Sequence, residues 1–98
     1  DNGIGGVLWL TGDVHYAQVG RVDPVGGVAE DQWEVLCGPG GSRLNAVVEA
    51  FVGNDQYPVV FARWNYARFT CDPGLGTVTV THIGDDGGVL SEIVLEIP

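Results

Sequence analysis

The stretch Val7-Leu8-Trp9-Leu10-Thr11-Gly12-Asp13-Val14-His15-Tyr16-Ala17 decides how the rest of the chain is read. Its first four residues are large, apolar and uncharged. A short continuous apolar run that stops at a turn signal predicts a strand covered on both faces, as in the centre of an α/β sheet. Gly12 ends that strand, because a residue without Cβ lets the backbone turn tightly. Asp13 and His15 then follow at the strand's carboxyl end, where open α/β sheets place their ligands. Two residues apart on an extended segment, their side chains point to one side. A carboxylate and an imidazole so placed are good ligands for a hard or borderline metal ion. The plainer reading is an Asp that shapes a turn beside a hydrogen-bonded His. The apolar strand before the pair and Tyr16 after it favour the metal.

Composition narrows the classes around this stretch. Ninety-eight residues leave room for at most one domain, and 45% hydrophobic residues with three Trp are enough to bury a core. There is no Met, and the chain opens on Asp1-Asn2-Gly3, so it reads as a segment of a longer protein. A net charge of −9 with four Lys plus Arg argues against a nucleic-acid partner, which needs clustered bases. Acidic charge suits solubility first and cation binding second. No apolar run approaches the roughly 20 residues of a spanning helix, and no basic-then-apolar leader is present, so no membrane partner is expected. Cys37 and Cys71 are too far apart for a zinc knuckle. Buried free thiols are expected for both, with a disulfide left open.

Downstream, Ala17 to Asp23 alternates in part and predicts an extended segment leaving the site; Pro24 to Asp31 predicts a loop. Trp33 to Cys37 is a second short strand. The turn Gly38-Pro39-Gly40-Gly41-Ser42 lacks the Gly-Lys-Ser/Thr of a Walker loop and reads as a turn leading to a helix capped by Ser42. Leu44, Val47, Val48 and Phe51 fall at i, i+3, i+4 and i+7, one face of that helix, with Gly53 as its stop. Val59 to Phe61 is a brief extended piece. The last third alternates strictly. Ala67, Phe69 and Cys71 share a face, as do Val78 and Val80, and then Val89, Ile93, Leu95 and Ile97. With turns at Asp72 to Gly76 and Gly84 to Gly88, this predicts an antiparallel meander of three strands, Val78 and Val80 facing in. His82 falls inside it and reads as a strand residue rather than a metal ligand, because no ligand-like residue has paired spacing with it.

Several of these blocks resemble one family. Gly12-Asp13-Val14-His15-Tyr16 is similar to the last metal motif of the metallophosphoesterases, in the form seen in PhoD-like alkaline phosphatases. Trp33 to Asn45 resembles the strand, Gly-Pro turn and helix start that follow there. Asn65-Tyr66-Ala67-Arg68 resembles the Asn-Tyr-Gly segment that opens their C-terminal hairpins, with Ala67 in place of Gly. The resemblance covers most of residues 1–98 and implies an α/β fold, the C-terminal portion of a four-layer αββα sandwich ending in an antiparallel β-meander. It implies metal-dependent hydrolysis of phosphoesters at a multinuclear site, with calcium and iron as the family's metals and zinc, manganese or magnesium as alternatives.

By that resemblance Asp13 and His15 are metal ligands, Asp13 either binding directly or orienting His15, and Tyr16 either borders the pocket or, as an aromatic beside a buried strand more often does, packs into the core. The other ligands belong to earlier motifs that this chain lacks, so the segment alone is expected to be inactive. Its implied partners are a phosphoester substrate and the remaining N-terminal part of its own domain. Export to the periplasm or cell exterior is implied too, with a cytoplasmic location left open. The competing expectation is a non-catalytic β-rich interaction or structural module.

Overall fold

The computed structural model describes residues 5–97, apart from the side chain of Glu49. The expected lead-in over residues 1–6 therefore lies largely outside the described residues. Among these, the chain forms seven strands and one short 3-10 helix: β1 (Leu8–Thr11), β2 (Ala17–Arg21), β3 (Trp33–Leu36), the 3-10 helix (Ala46–Phe51), β4 (Val59–Phe61), β5 (Asn65–Asp72), β6 (Thr77–Gly84) and β7 (Val89–Glu96). They make two sheets, one in the order β1-β3-β2-β4 and one in the order β5-β6-β7.

The protein is thus a small all-β domain, and the expected α/β class with its αββα layers is overturned. The reason lies in the segment expected to be helical. Only Ala46–Phe51 coils, and it does so as a 3-10 helix. Val48 is buried and Phe51 half-buried, whereas Leu44 and Val47 are exposed. The buried positions are three apart, the period of a 3-10 helix rather than an α-helix. Adjacent β-branched Val47 and Val48 disfavour a longer α-helix, and Gly53, with φ +84°, turns the chain out of it. With no helical layer, the apolar side chains pair sheet against sheet. Val19, Trp33 and Val35 from the first sheet meet Val80 and Leu95 from the second. A smaller cluster of Tyr16, Leu36 and Val48, flanked by Phe51 and Val60, joins the 3-10 helix to the first sheet.

The β1 strand forms where expected but not in the expected place. It is an edge strand, paired in parallel with β3 from Leu8↔Trp33 to Thr11↔Leu36. Its far side has no neighbour among the described residues, and Trp9 and Leu10 are 51% and 58% exposed. An apolar run of four residues does not distinguish an edge from a centre; here β3 takes the interior position beside β2. The Trp9 indole donates to Gln32 Oε1 at 3.0 Å, giving its polar end a partner at the rim.

The meander is antiparallel throughout, as expected. Val80 is fully buried, and Val78 is half-buried against the core. A bulge between His82 and Ile83 places Val89 opposite Ile83, and Val89 turns out to solvent instead of joining Ile93 and Leu95. No helix of the described residues is long and apolar enough to cross a membrane. Cys37 is half-buried, Cys71 is exposed, and both are free. Burial pushes the Cys37 thiol above its ordinary pKa.

Candidate metal-binding loop

Gly12 to Tyr16 forms the connection between β1 and β2, starting where β1 runs parallel to β3 and ends beside Cys37. The Cys37 N–H donates to the Thr11 carbonyl at 3.1 Å and carries the pairing one step beyond the strand. The loop therefore lies at the carboxyl ends of β1 and β3, as the sequence predicts. Its local geometry differs from expectation. Gly12 does not take the left-handed turn; Asp13 and His15 do, with φ of +73° and +66°. For residues with a Cβ this conformation costs about 1 kcal/mol or more, although Asp is better tolerated than most. The segment is bent, not extended, so alternation on a strand is not what positions the two side chains.

The bend is held from across the chain by Asn45. The Asn45 backbone N–H donates to the His15 carbonyl at 3.0 Å, and its side-chain Nδ2 donates to the Val14 carbonyl at 3.0 Å. Asn45 Oδ1 in turn accepts from the Val47 N–H at 3.1 Å. This residue, and not Ser42, supplies the cap-like contact at the start of the 3-10 helix. One asparagine thus fixes the Asp13–His15 turn to the following helical turn. Asp13 is exposed and His15 half-buried, so both side chains are accessible to a ligand.

Tyr16 is buried, and it lines neither of the two hollows described below. It is 8% exposed and packed with Leu36 and Val48, its ring 6.4 Å from that of Phe51. Burial raises the pKa of its phenol, with the Glu34 carboxylate and Tyr57 adding to the effect. An aromatic adjoining a core strand here completes the core.

Two further residues, neither singled out as a ligand, fasten this end of the domain. Asn65 opens β5 and is 4% exposed. Its Nδ2 donates to the carbonyls of Gly38 at 2.9 Å and Arg63 at 2.7 Å, its Oδ1 accepts from the Gly38 N–H at 3.3 Å, and its backbone N–H donates to the Pro39 carbonyl at 2.9 Å. The Gly-Pro turn after β3 is thereby clamped to the second sheet. His82 is fully buried. A carbonyl can only accept, so the contact of His82 Nε2 with the Leu36 oxygen at 3.4 Å places the ring proton on Nε2. Nδ1 then accepts from the Ser91 hydroxyl at 3.1 Å. Phe61 packs edge-on to the ring at 5.3 Å. His82 is thus a satisfied core residue joining the two sheets.

Among the described residues no group of three or more His, Cys, Asp or Glu side chains is gathered so as to hold a metal ion. Asp13 and His15 carry an oxygen and a nitrogen donor, a pair that would suit a borderline cation but would leave its coordination incomplete. A small hollow of about 370 Å³ at this end is lined by Gly40, Asn65, Tyr66, Gly84, Asp85 and Gly87. A larger groove of about 610 Å³ lies at the opposite end of the first sheet, beside Arg21 and Trp33. There the guanidinium sits 4.4 Å from the Trp33 ring centroid and donates to the Glu30 carbonyl at 2.6 Å.

The left-handed φ of Asp13 has a direct test. Asp13→Gly should raise thermal stability, because glycine adopts this conformation without the Cβ penalty. The expected gain is up to about 1 kcal/mol, which for a domain of this size moves Tm by roughly 4–8 °C. A lower Tm in thermal unfolding would show that the Asp13 side chain itself holds the turn together.

Comparison of the chain with family models, curated proteins and solved structures found no match.

Proposed function

We propose that this chain contributes Asp13 and His15 to a metal-dependent phosphoester-hydrolysing centre whose remaining ligands come from outside residues 1–98. The observation that carries the reading is the paired left-handed turn at Asp13 and His15, held at strand ends by Asn45. Backbone strain at residues other than Gly collects at functional sites, where surrounding contacts hold it in place. Strain on the one Asp and the one His of a Gly-Asp-Val-His-Tyr motif joins the geometry to the chemistry of the motif. The metal ions would activate water and stabilise charge on the phosphate oxygens. The protein's part would be to present the His15 imidazole and the Asp13 carboxylate to the same cation or its neighbour. Two donors do not complete such a centre, so residues 1–98 alone are expected to be inactive.

Manganese supplies the test. Titrating Mn²⁺ into the chain should broaden the NMR resonances of residues 13–16 first, and His15→Ala should abolish that selectivity. Broadening spread evenly over the acidic surface, with residues 13–16 unaffected, would sink the proposal.

A second reading, a β-rich interaction module without catalysis, draws support from one observation. The β1 edge leaves Trp9 and Leu10 exposed, and an open apolar edge is a docking surface for another strand. That reading gives Mn²⁺ no reason to select residues 13–16, so the same titration separates the two.

A further inference from the structure

We infer that the open edge of β7 takes an extended basic peptide as an added strand, with the pattern basic-x-apolar-x-basic. The inference is independent of the metal reading, since neither Asp13 nor His15 takes part in it.

The register fixes which groups of β7 are on offer. In the order β5-β6-β7 this strand comes last, so one of its sides has no strand beside it among the described residues. The Ile97 N–H donates to the Gly76 carbonyl at 2.9 Å, toward the β6 side. Backbone groups of successive residues alternate in direction along an antiparallel strand. Leu95 and Ile93 therefore bond back to β6, while the N–H and C=O groups of Glu96, Val94 and Glu92 face the open side. The bulge at His82 and Ile83 lies beyond this stretch. The side chains of the same three residues share the face away from the core. Leu95 is buried, whereas Glu92 and Glu96 are exposed and Val94 is 61% exposed.

Space for a strand lies beside this edge. The groove of about 610 Å³ has Val94 and Glu96 on one wall and Arg21, Asp31 and Trp33 on the other, with Leu75 at its end. The Arg21 guanidinium is turned to the Glu30 carbonyl and the Trp33 ring. Two carboxylates against one guanidinium leave the groove acidic, in a molecule of net charge −9.

Charge selects the occupant. Charged side chains on an edge strand block pairing with most other strands. A second copy of this chain is blocked in that way, because antiparallel pairing centred on Val94 would set Glu92 opposite Glu96 twice over. A strand with Lys or Arg opposite Glu92 and Glu96 turns the same two positions into attractive cross-strand pairs. An apolar residue between them covers Val94, and the backbone groups of the edge supply the ladder. The pattern reads the same in both directions, so it serves parallel and antiparallel addition alike.

The probe is the peptide Thr-Lys-Thr-Val-Thr-Lys-Thr, blocked at both ends and followed by NMR on the chain without metal. It should shift the amide resonances of Glu92, Val94 and Glu96 and slow their exchange with solvent, because these N–H groups gain acceptors. A peptide with Glu in place of both Lys should bind at least about tenfold more weakly, and added salt should weaken the Lys peptide. Val94→Pro removes an outward N–H and leaves the bonds to β6, so it should keep the fold and lose the peptide. Glu92→Lys with Glu96→Lys should reverse the preference, so that the Glu peptide binds the more tightly. Equal binding of the two peptides by the wild-type chain, shifts confined to β1 or another element, or an unchanged preference in the charge-reversed protein would each overturn the inference.

Discussion

Under the proposed function, His15→Ala in a protein that supplies the remaining ligands is expected to lower phosphoester turnover by more than about 100-fold and to reduce bound metal, while the fold persists. Removing a group that merely orients a metal ligand typically costs about 10- to 100-fold, and losing the ligand itself costs more. The fold should survive for local reasons. His15 is half-buried at a bend, its backbone carbonyl keeps its bond from Asn45, and the ring makes no side-chain hydrogen bond among the described residues. Asp13→Asn separates two roles for the carboxylate. If Asp13 binds metal directly, the variant should fall as far as His15→Ala; if it orients the imidazole, the loss should stay within about 10- to 100-fold. Elemental analysis and turnover of an aryl phosphate provide the measurement. Unchanged metal content and rate in folded His15→Ala would leave an ordinary turn histidine and end the functional proposal.

Substituting the other histidine should do the reverse, damaging the fold without touching the loop. His82→Ala removes a fully buried ring, opens a cavity between the sheets and leaves the Leu36 carbonyl and Ser91 hydroxyl without their partner. Cavity and orphaned polar groups together are expected to cost about 3 kcal/mol, against about 1 kcal/mol for Ser91→Ala.

The pH dependence follows from the same burial. Desolvation lowers the His82 pKa below its ordinary 6.5, and the bond to the Leu36 carbonyl opposes this only in part. Below about pH 6.5 the unfolded imidazole takes up a proton that the folded one does not, so stability falls as pH drops. The limiting slope for one proton is about 1.4 kcal/mol per pH unit, and it ends where the buried ring itself protonates. Denaturant unfolding at several pH values between 7.5 and 5.5 measures it, a range that lies above ordinary carboxylate titration. His82→Leu should remove this part of the slope. A wild-type stability flat across that range would mean that the ring is charged or hydrated in the fold.

The fold was legible where residues interact with near neighbours in sequence. Alternation over Thr77 to Thr81 and the turns at Asp72 to Gly76 and Gly84 to Gly88 were enough for the meander, because hairpin pairing and side-chain period are both local. The place of β1 was not legible. Whether Leu8-Trp9-Leu10 lies at a centre or an edge depends on β3 inserting beside β2, a fact about topology that the apolar run does not encode. The helix expectation failed because i, i+3, i+4, i+7 spacing over eight residues also contains the three-residue period, and two adjacent valines tip the choice. In the candidate loop the residue types were legible and the backbone was not: the turn with left-handed φ at Asp13 and His15 is hydrogen-bonded by Asn45, some thirty positions away. Asn65 signalled itself only as part of a motif. His82 was correctly read as structural, although its burial between two sheets depends on a bulge and a facing strand invisible in one dimension.

The parallel pairing of β1 with β3 has a bearing on when the candidate loop comes into being. The second sheet is built from successive hairpins, whose contacts close short stretches of chain. The β1–β3 ladder must instead bring Leu8 to Trp33 across an unpaired loop and the whole of β2, and the Asn45 contacts span a similar distance. Non-local pairing carries its entropy cost before any contact offsets it, so it forms late. An edge strand held on one side by four residue pairs is also among the first elements to open. Amide exchange should therefore be fastest along β1 and its loop and slowest in β6. The segment carrying Asp13 and His15 is therefore expected to order late and to open early, so a ligand that binds across both residues gives up part of its affinity to hold the segment ordered and in return slows its opening.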